Sequence, residues 1–168
     1  MTRRALFLCL AASALAACAS VDSRTQSLTA AHASAIRDSV RAMLTSFERY
    51  SMNRQWDSVA TLYVSDTTLR WIENGRVVMR SSAALERGLG SLPRTTSIVT
   101  TYDTLEITPV APGVAAVLAF YHTTFVDSTR GNATFGGLLT MTIVHRPGGW
   151  QFLNGHTSSP PPARSAGN

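Results

Sequence analysis

From Trp150 to His156 the chain reads Trp-Gln-Phe-Leu-Asn-Gly-His, with polar and apolar side chains two apart. Side chains alternate along an extended strand, so Trp150, Phe152, Asn154 and His156 are expected on one face. Trp150 and Phe152 mark that face as inward. Asn154 and His156 then become polar groups in an apolar wall, which must be hydrogen-bonded to the protein or serve a ligand. His156 is therefore either a donor or general base in a pocket, or a structural histidine bonded to a neighbouring strand.

His122 shares its parity with Leu118, Phe120 and Thr124, while Tyr121 and Phe125 take the opposite face. Parity alone leaves open which face lines a cavity. Among the carboxylates in strand-like runs, Glu73 adjoins a turn and is expected to pair with Arg76, and Asp127 ends its run. Asp103 lies mid-run on the side of Val99, Thr101 and Leu105, which makes it the candidate buried acid and the second candidate base. The residues expected to line a pocket are Tyr63, Trp71, Tyr102, His122, Asn154 and His156. His122, His145, His156 and Asp103 lack close ligand spacing, so neither a metal nor a cofactor is expected. There is no Gly-rich phosphate loop, no Gly-x-Ser-x-Gly elbow and no cysteine nucleophile.

These residues need elements to hold them. Ile36, Val40, Met43, Leu44 and Phe47 recur at helical spacing and predict an amphipathic helix over 28–50. A shorter helix is predicted over 56–64, with Trp56, Val59, Ala60 and Tyr63 on one stripe. Asn74-Gly75 between two β-rich runs signals a hairpin, because a type I′ turn needs positive φ at both positions. Its register should place Glu73 opposite Arg76, Ile72 opposite Val77 and Trp71 opposite Val78. A third helix fits 82–89, closed by Gly88, Gly90 and Pro93. Long strands follow over 95–107, 114–127 and 132–146, then a last one over 150–158. A turn is expected at 109–113, and Gly136-Gly137 suggests a bulge or bend. Helices first and long antiparallel strands last make an α+β domain. The strands would curl around the first helix and leave one open mouth.

The N-terminus carries a different message. Arg3 and Arg4 precede an apolar run from Ala5 to Ala12, then Leu15-Ala16-Ala17-Cys18. Basic, apolar and small-residue regions in that order form an export signal. The run is too short to span a bilayer, which takes about 20 apolar residues. Leu15 to Cys18 resembles a bacterial lipobox, which implies removal of residues 1–17 and lipidation of Cys18. Ala19 after the cysteine, in place of Asp, points to the periplasmic face of the outer membrane in a Gram-negative host. Residues 18–27 read as a lipidated tether, 28–158 as the folded domain and the Pro-rich 159–168 as a disordered tail. Cys9 leaves with the signal and Cys18 stands alone, so the domain must hold together by packing without disulfides. All 15 cations are arginine; 13 of them and all 10 acids remain after cleavage, a net charge of +3. They are scattered, whereas a nucleic-acid surface would cluster them, so no nucleic-acid partner is expected.

The order of elements, with Trp56 and Leu62-Tyr63 on the second helix, resembles nuclear transport factor 2-like domains. So does the ending Gly148-Gly149-Trp150-Gln151-Phe152, then His156-Thr157-Ser158. The nearer likeness is to the SnoaL-like and calcium/calmodulin-dependent kinase association-type branches. The resemblance implies a cone, a curved sheet wrapped on a helix with a pocket inside, and a tendency to dimerise through the sheet. Members include isomerases, dehydratases and binding modules, so the fold does not give a reaction. Two expectations follow. The first is a lipid-anchored binding module for a small apolar ligand or for another copy of itself. The alternative is an isomerase or dehydratase with His156 or Asp103 as general base and a tyrosine as donor.

Overall fold

The structure, a computed structural model, describes residues 28–159. The proposed signal, the tether to residue 27 and the tail from residue 160 lie outside them. The elements come in the expected order: α1 (Ala30–Met52), α2 (Trp56–Thr61), β1 (Arg70–Glu73), β2 (Arg76–Met79), α3 (Ser82–Gly90), β3 (Thr96–Ala111), β4 (Val114–Asp127), β5 (Ala133–Arg146) and β6 (Gly149–Ser158).

Helix α1 starts where Thr29 caps it, its side chain accepting from the His32 N–H. Ile36, Val40, Met43 and Leu44 form its buried stripe. Helix α2 carries Asp57 in its first turn and buries Val59. It ends at Thr61, and the Leu62–Val64 segment instead runs beside Phe152: Phe152 N–H donates to the Leu62 carbonyl at 2.8 Å and Val64 N–H to the Phe152 carbonyl at 3.1 Å. Ser81 caps α3 through the Ala84 N–H.

One six-stranded sheet runs in the order β2-β1-β6-β5-β4-β3. All neighbours are antiparallel except β1 and β6, which run parallel. Asn74 (φ 47°) and Gly75 (φ 79°) supply the hairpin turn. Glu73 pairs with Arg76 and Ile72 with Val77, but Trp71 pairs with Met79. Val78 is an extra residue there, and it moves Trp71 off the expected partner.

Three more bulges shape the sheet, one of them leaving Val110 unpaired near the end of β3. Tyr102 pairs with Tyr121 and Thr104 with Phe120, which leaves Asp103 unpaired in β3. Ile143 pairs with Phe152 and Thr142 with Asn154, which leaves Leu153 unpaired in β6. Each bulge reverses the inside-outside alternation beyond it and increases the local twist. The long strands thereby wrap α1, and the sheet remains open at its two edges.

Two expectations about turns are corrected. Pro109 does not begin the turn; it lies within β3 opposite Ala115, and the chain reverses at Pro112-Gly113. Because β3 is an edge strand, a residue without an N–H is tolerated there. Gly136-Gly137 is not a bulge, since the β4–β5 register runs through it unbroken. The glycines permit close backbone approach instead. A Cβ on Gly136 would overlap the Tyr121 carbonyl oxygen, and one on Gly137 the Ser158 carbonyl oxygen.

The core lies between α1, α2 and the concave side of the sheet. Phe152, Leu44, Leu69, Ile143, Val40, Val59 and Val64 are its fully buried members. Removing a side chain of this size from water contributes about 1.5–3 kcal/mol each.

Candidate functional site

A cavity of about 150 Å³ opens inside the cone. Its wall is aromatic: Phe47 from α1, Trp71 from β1, Tyr102 from β3, Tyr121 and Phe125 from β4, Phe135 from β5 and Phe152 from β6. Phe152 is the hub. Phe47 and Trp71 meet it edge-on with ring centroids 5.5 and 5.9 Å away, and Tyr63 packs on it at 4.7 Å. Such edge contacts set the ring edge of one against the ring face of another. Phe125 and Phe135 stack at 5.7 Å with planes 29° apart, and Phe135 is largely solvent-exposed. They form an aromatic rim to the opening.

The polar groups of the wall are few. Thr100 and Thr123 hydroxyls bond to each other at 3.0 Å across β3 and β4. Thr157 Oγ1 donates to the Ile72 carbonyl at 3.4 Å. Glu73 is the carboxylate on the wall, at the end of β1 where it pairs with Thr157 of β6. Burial pushes the Tyr121 hydroxyl above its ordinary value; a hydrogen bond with Thr157 opposes that rise and Glu73 adds to it. Burial likewise pushes Tyr102 up, with Glu48 adding. Tyr63 is pushed up by burial, then by Tyr102 and Glu73. Burial also raises Glu48. The phenols thus stay neutral near pH 7 and offer O–H donors in a negative field.

Of the expected pocket residues, Trp71 and Tyr102 line this cavity. Tyr63 sits behind it, buried at 4 % exposure against Trp71 and Phe152. Asn154, His156 and His122 do not reach it. The expectation that Asn154 and His156 share the face of Phe152 is corrected by the Leu153 bulge. Beyond it Gly155 and Thr157 turn inward, while Asn154 and His156 are exposed. The Trp71 ring packs directly on Gly155, where any Cβ would overlap the indole.

The expectation that Asp103 is a buried acid is corrected in the same way, because it is the bulged residue of β3. Its carboxylate projects outward and receives His122 Nε2 at 2.9 Å, with both side chains more than half exposed. The pair borders a shallow depression of about 740 Å³ on the outer side of the sheet, with Phe120, Leu138 and Ser158. That depression is larger than the inner cavity, but the inner cavity lies within the cone and has the more aromatic wall, which favours it as the site. Glu73 is not ion-paired to Arg76: the ion pairs among the described residues are Asp103–His122 and Asp66–Arg146. Asn154 lines another outer groove, and His145 stacks edge-on against Trp150 at 5.3 Å. No three histidine, cysteine or carboxylate side chains converge as metal ligands among the described residues.

Tyr121, Thr157, Phe125, Phe135 and Glu73 complete the wall and were not expected there. A signal for β4 was available. Ala115, Val117 and Ala119 alternate with Ala116, Leu118 and Phe120, and the smaller set is the buried one. Small residues leave room for a packed layer, whereas bulk alone suggested the opposite face.

No protein-family model matches the chain, and no curated protein matches it. Solved structures do. A nuclear transport factor 2-like superfamily protein from Salmonella enterica superposes with a TM-score of 0.65 at 16% identity, covering 80% of this chain and 98% of that one. The fold is that of the nuclear transport factor 2-like proteins. A proposed scytalone dehydratase from Novosphingobium aromaticivorans gives 0.64 at 14% identity, covering 76% and 85%. A ketosteroid isomerase-like protein from Erwinia carotovora gives 0.58 at 16% identity, covering 74% and 96%. The nuclear transport factor 2-like cone therefore sets the frame in which the wall residues above sit.

Proposed function

We propose that this chain is an exported, lipid-anchored protein whose nuclear transport factor 2-like domain binds a small, mostly apolar molecule inside the cone. One observation carries the binding reading: seven aromatic side chains from one helix and five strands enclose a single space of about 150 Å³. A dry cavity of about 150 Å³ admits a molecule the size of benzene. Tyr121, Tyr102 and Thr157 supply the few polar groups that would orient it.

The test is binding of benzene, phenol and indole to residues 19–168, followed by NMR shifts of the Trp71 indole. Phenol or benzene should perturb Trp71, and Tyr121→Phe should weaken phenol more than benzene. Wild-type protein that leaves the Trp71 signal unmoved by all three probes would overturn the reading.

The neighbours' names bring dehydratase and isomerase chemistry to mind. With His156 or Asp103 as general base that chemistry lacks its geometry, because neither side chain lines the cavity.

The anchor rests on the order of Arg3-Arg4, the apolar run and Leu15 to Cys18. Labelled palmitate should enter the wild type and not Cys18→Ala. Among the described residues no helix is long and apolar enough to cross a membrane. Pairing of two copies through the sheet is proposed from Leu118, Phe120 and Phe135, all exposed. Phe120→Asp should then convert a sedimenting dimer to a monomer.

A further inference from the structure

The charge of the cone cavity says what kind of molecule it suits. Among the described residues that line it, none is cationic, and Glu73 is the one charged group. Glu48 adds a second carboxylate close enough to act on Tyr102. Arg76 faces Glu73 across the hairpin but is exposed on β2 and forms no ion pair with it. The remaining wall is the aromatic rings with Ile98, Leu139 and Met141, together with threonine and tyrosine hydroxyls.

Aromatic faces around a carboxylate attract a cation and repel an anion. Glu73 is exposed at the end of β1, so water shares its field and the attraction is that of a solvent-accessible site. The space is small enough that one compact head fills it. Phe125 and Phe135 give the mouth a stacked aromatic edge over which a cation could enter.

We propose that the cone cavity selects a small organic cation, an alkylammonium head of about the size of tetramethylammonium, over a neutral molecule of the same shape. The inference rests on the binding reading of the cavity and adds the ligand's charge to it. Glu73 is the counter-ion. Trp71, Tyr102 and Tyr121 supply the ring faces.

The experiment compares choline with its neutral isostere 3,3-dimethylbutan-1-ol, by calorimetric and NMR titration of residues 19–168. Choline should bind about two- to fivefold tighter, the range expected of a cation over solvent-accessible rings. Glu73→Gln should remove most of that preference, read as the ratio of the two affinities in the one variant. Phe135→Leu, which leaves the carboxylate in place, should reduce the preference by a smaller factor. Glu73 is exposed on its hairpin, so unchanged thermal melting of the Gln variant will show that the fold is intact.

Equal affinity for choline and the alcohol overturns the cation inference and leaves the binding reading standing. So does binding of benzene without choline. Failure of every probe overturns both. A trimethylammonium group could come from a free amine or from a lipid headgroup. Retention by phosphatidylcholine vesicles and not by phosphatidylglycerol vesicles, relieved by free choline, would identify the headgroup as the source. Choline binding without vesicle retention would identify the free cation.

Discussion

The two faces of the sheet use similar residues to opposite ends. The inner face gathers Trp71, Tyr102, Tyr121 and Phe152 around one small space and bonds the Thr100 and Thr123 hydroxyls to each other. The outer face carries the groups that suggest chemistry in the sequence, His122, Asp103, His156 and Asn154, and shows them to solvent. What separates the faces is two single-residue bulges, at Asp103 and Leu153. Each flips the alternation of every residue beyond it. Energetically the inner face is where loss of a group should be felt, since burial multiplies both packing and electrostatics. On the outer face water competes for every partner.

The largest effect should come from Phe152→Ala. Phe152 is 1 % exposed and touches Phe47, Tyr63 and Trp71. Truncation should cost about 3–5 kcal/mol in chemical denaturation. A loss under about 1 kcal/mol would mean that the cavity is already loose and that the inner face is not the packed one. Gly137→Ala should come next. Its Cβ would press on the Ser158 carbonyl, which is backbone and cannot swing aside, so the β5–β6 pairing must shift. Overpacking of this kind costs about 1–3 kcal/mol, and faster amide exchange around Leu138 and Ser158 would locate it.

Much of this architecture could be read from residue order. The apolar stripe from Ile36 to Phe47 and the Asn74-Gly75 turn are local signals that act within a few residues, and the helix and hairpin they predict are there. Pattern along a strand failed beyond the bulges, because a bulge is a tertiary event. Leu153 carries no local mark that it will be the unpaired residue; its place is set by how β6 must bend between β5 and β1. Gly155 is the one clue in hindsight. A glycine between Asn154 and His156 permits the Trp71 ring to lie on the backbone there, which requires position 155 to face inward. Likewise the bulky Leu118 and Phe120 drew attention from the smaller alanines that mark the buried side of β4.

A third effect belongs to neither face but to the end of the sheet that joins them. Asp127 is buried and accepts from Thr96 at 2.8 Å, from Thr95 at 3.1 Å, and from Thr129 N–H and Oγ1 at 2.8 and 2.7 Å. These bonds, the backbone and side-chain bonds from Thr129 foremost, hold its carboxyl well below the ordinary 3.8. A carboxylate whose folded pKa is depressed stabilises the fold above its unfolded pKa, and that stability drains as pH falls through the folded value. The wild type should therefore lose melting temperature steadily below about pH 4, and Asp127→Asn should start lower and lose less over the same range. Parallel acid limbs in the two proteins would show that another group governs acid unfolding.

The smallest effect should come from the pair that looks most like chemistry. His122 and Asp103 lie 2.9 Å apart, but each is more than half exposed. An exposed pair of this kind contributes about 0.2–1 kcal/mol, because water solvates both partners nearly as well when they part and salt screens what remains. His122→Ala and Asp103→Asn should each shift stability by less than about 0.5 kcal/mol. The double variant should differ little from either single one, and binding of a cavity probe should be unchanged in all three. The measurement is a double-mutant cycle run at low and high salt in the Phe120→Asp background, in which the proposed pairing through the sheet is absent. A coupling energy above about 2 kcal/mol, or one indifferent to salt, would mean that something covers the outer face in solution. In that case the contrast between the faces would be one between two interiors, the second of them formed only when a partner is in place.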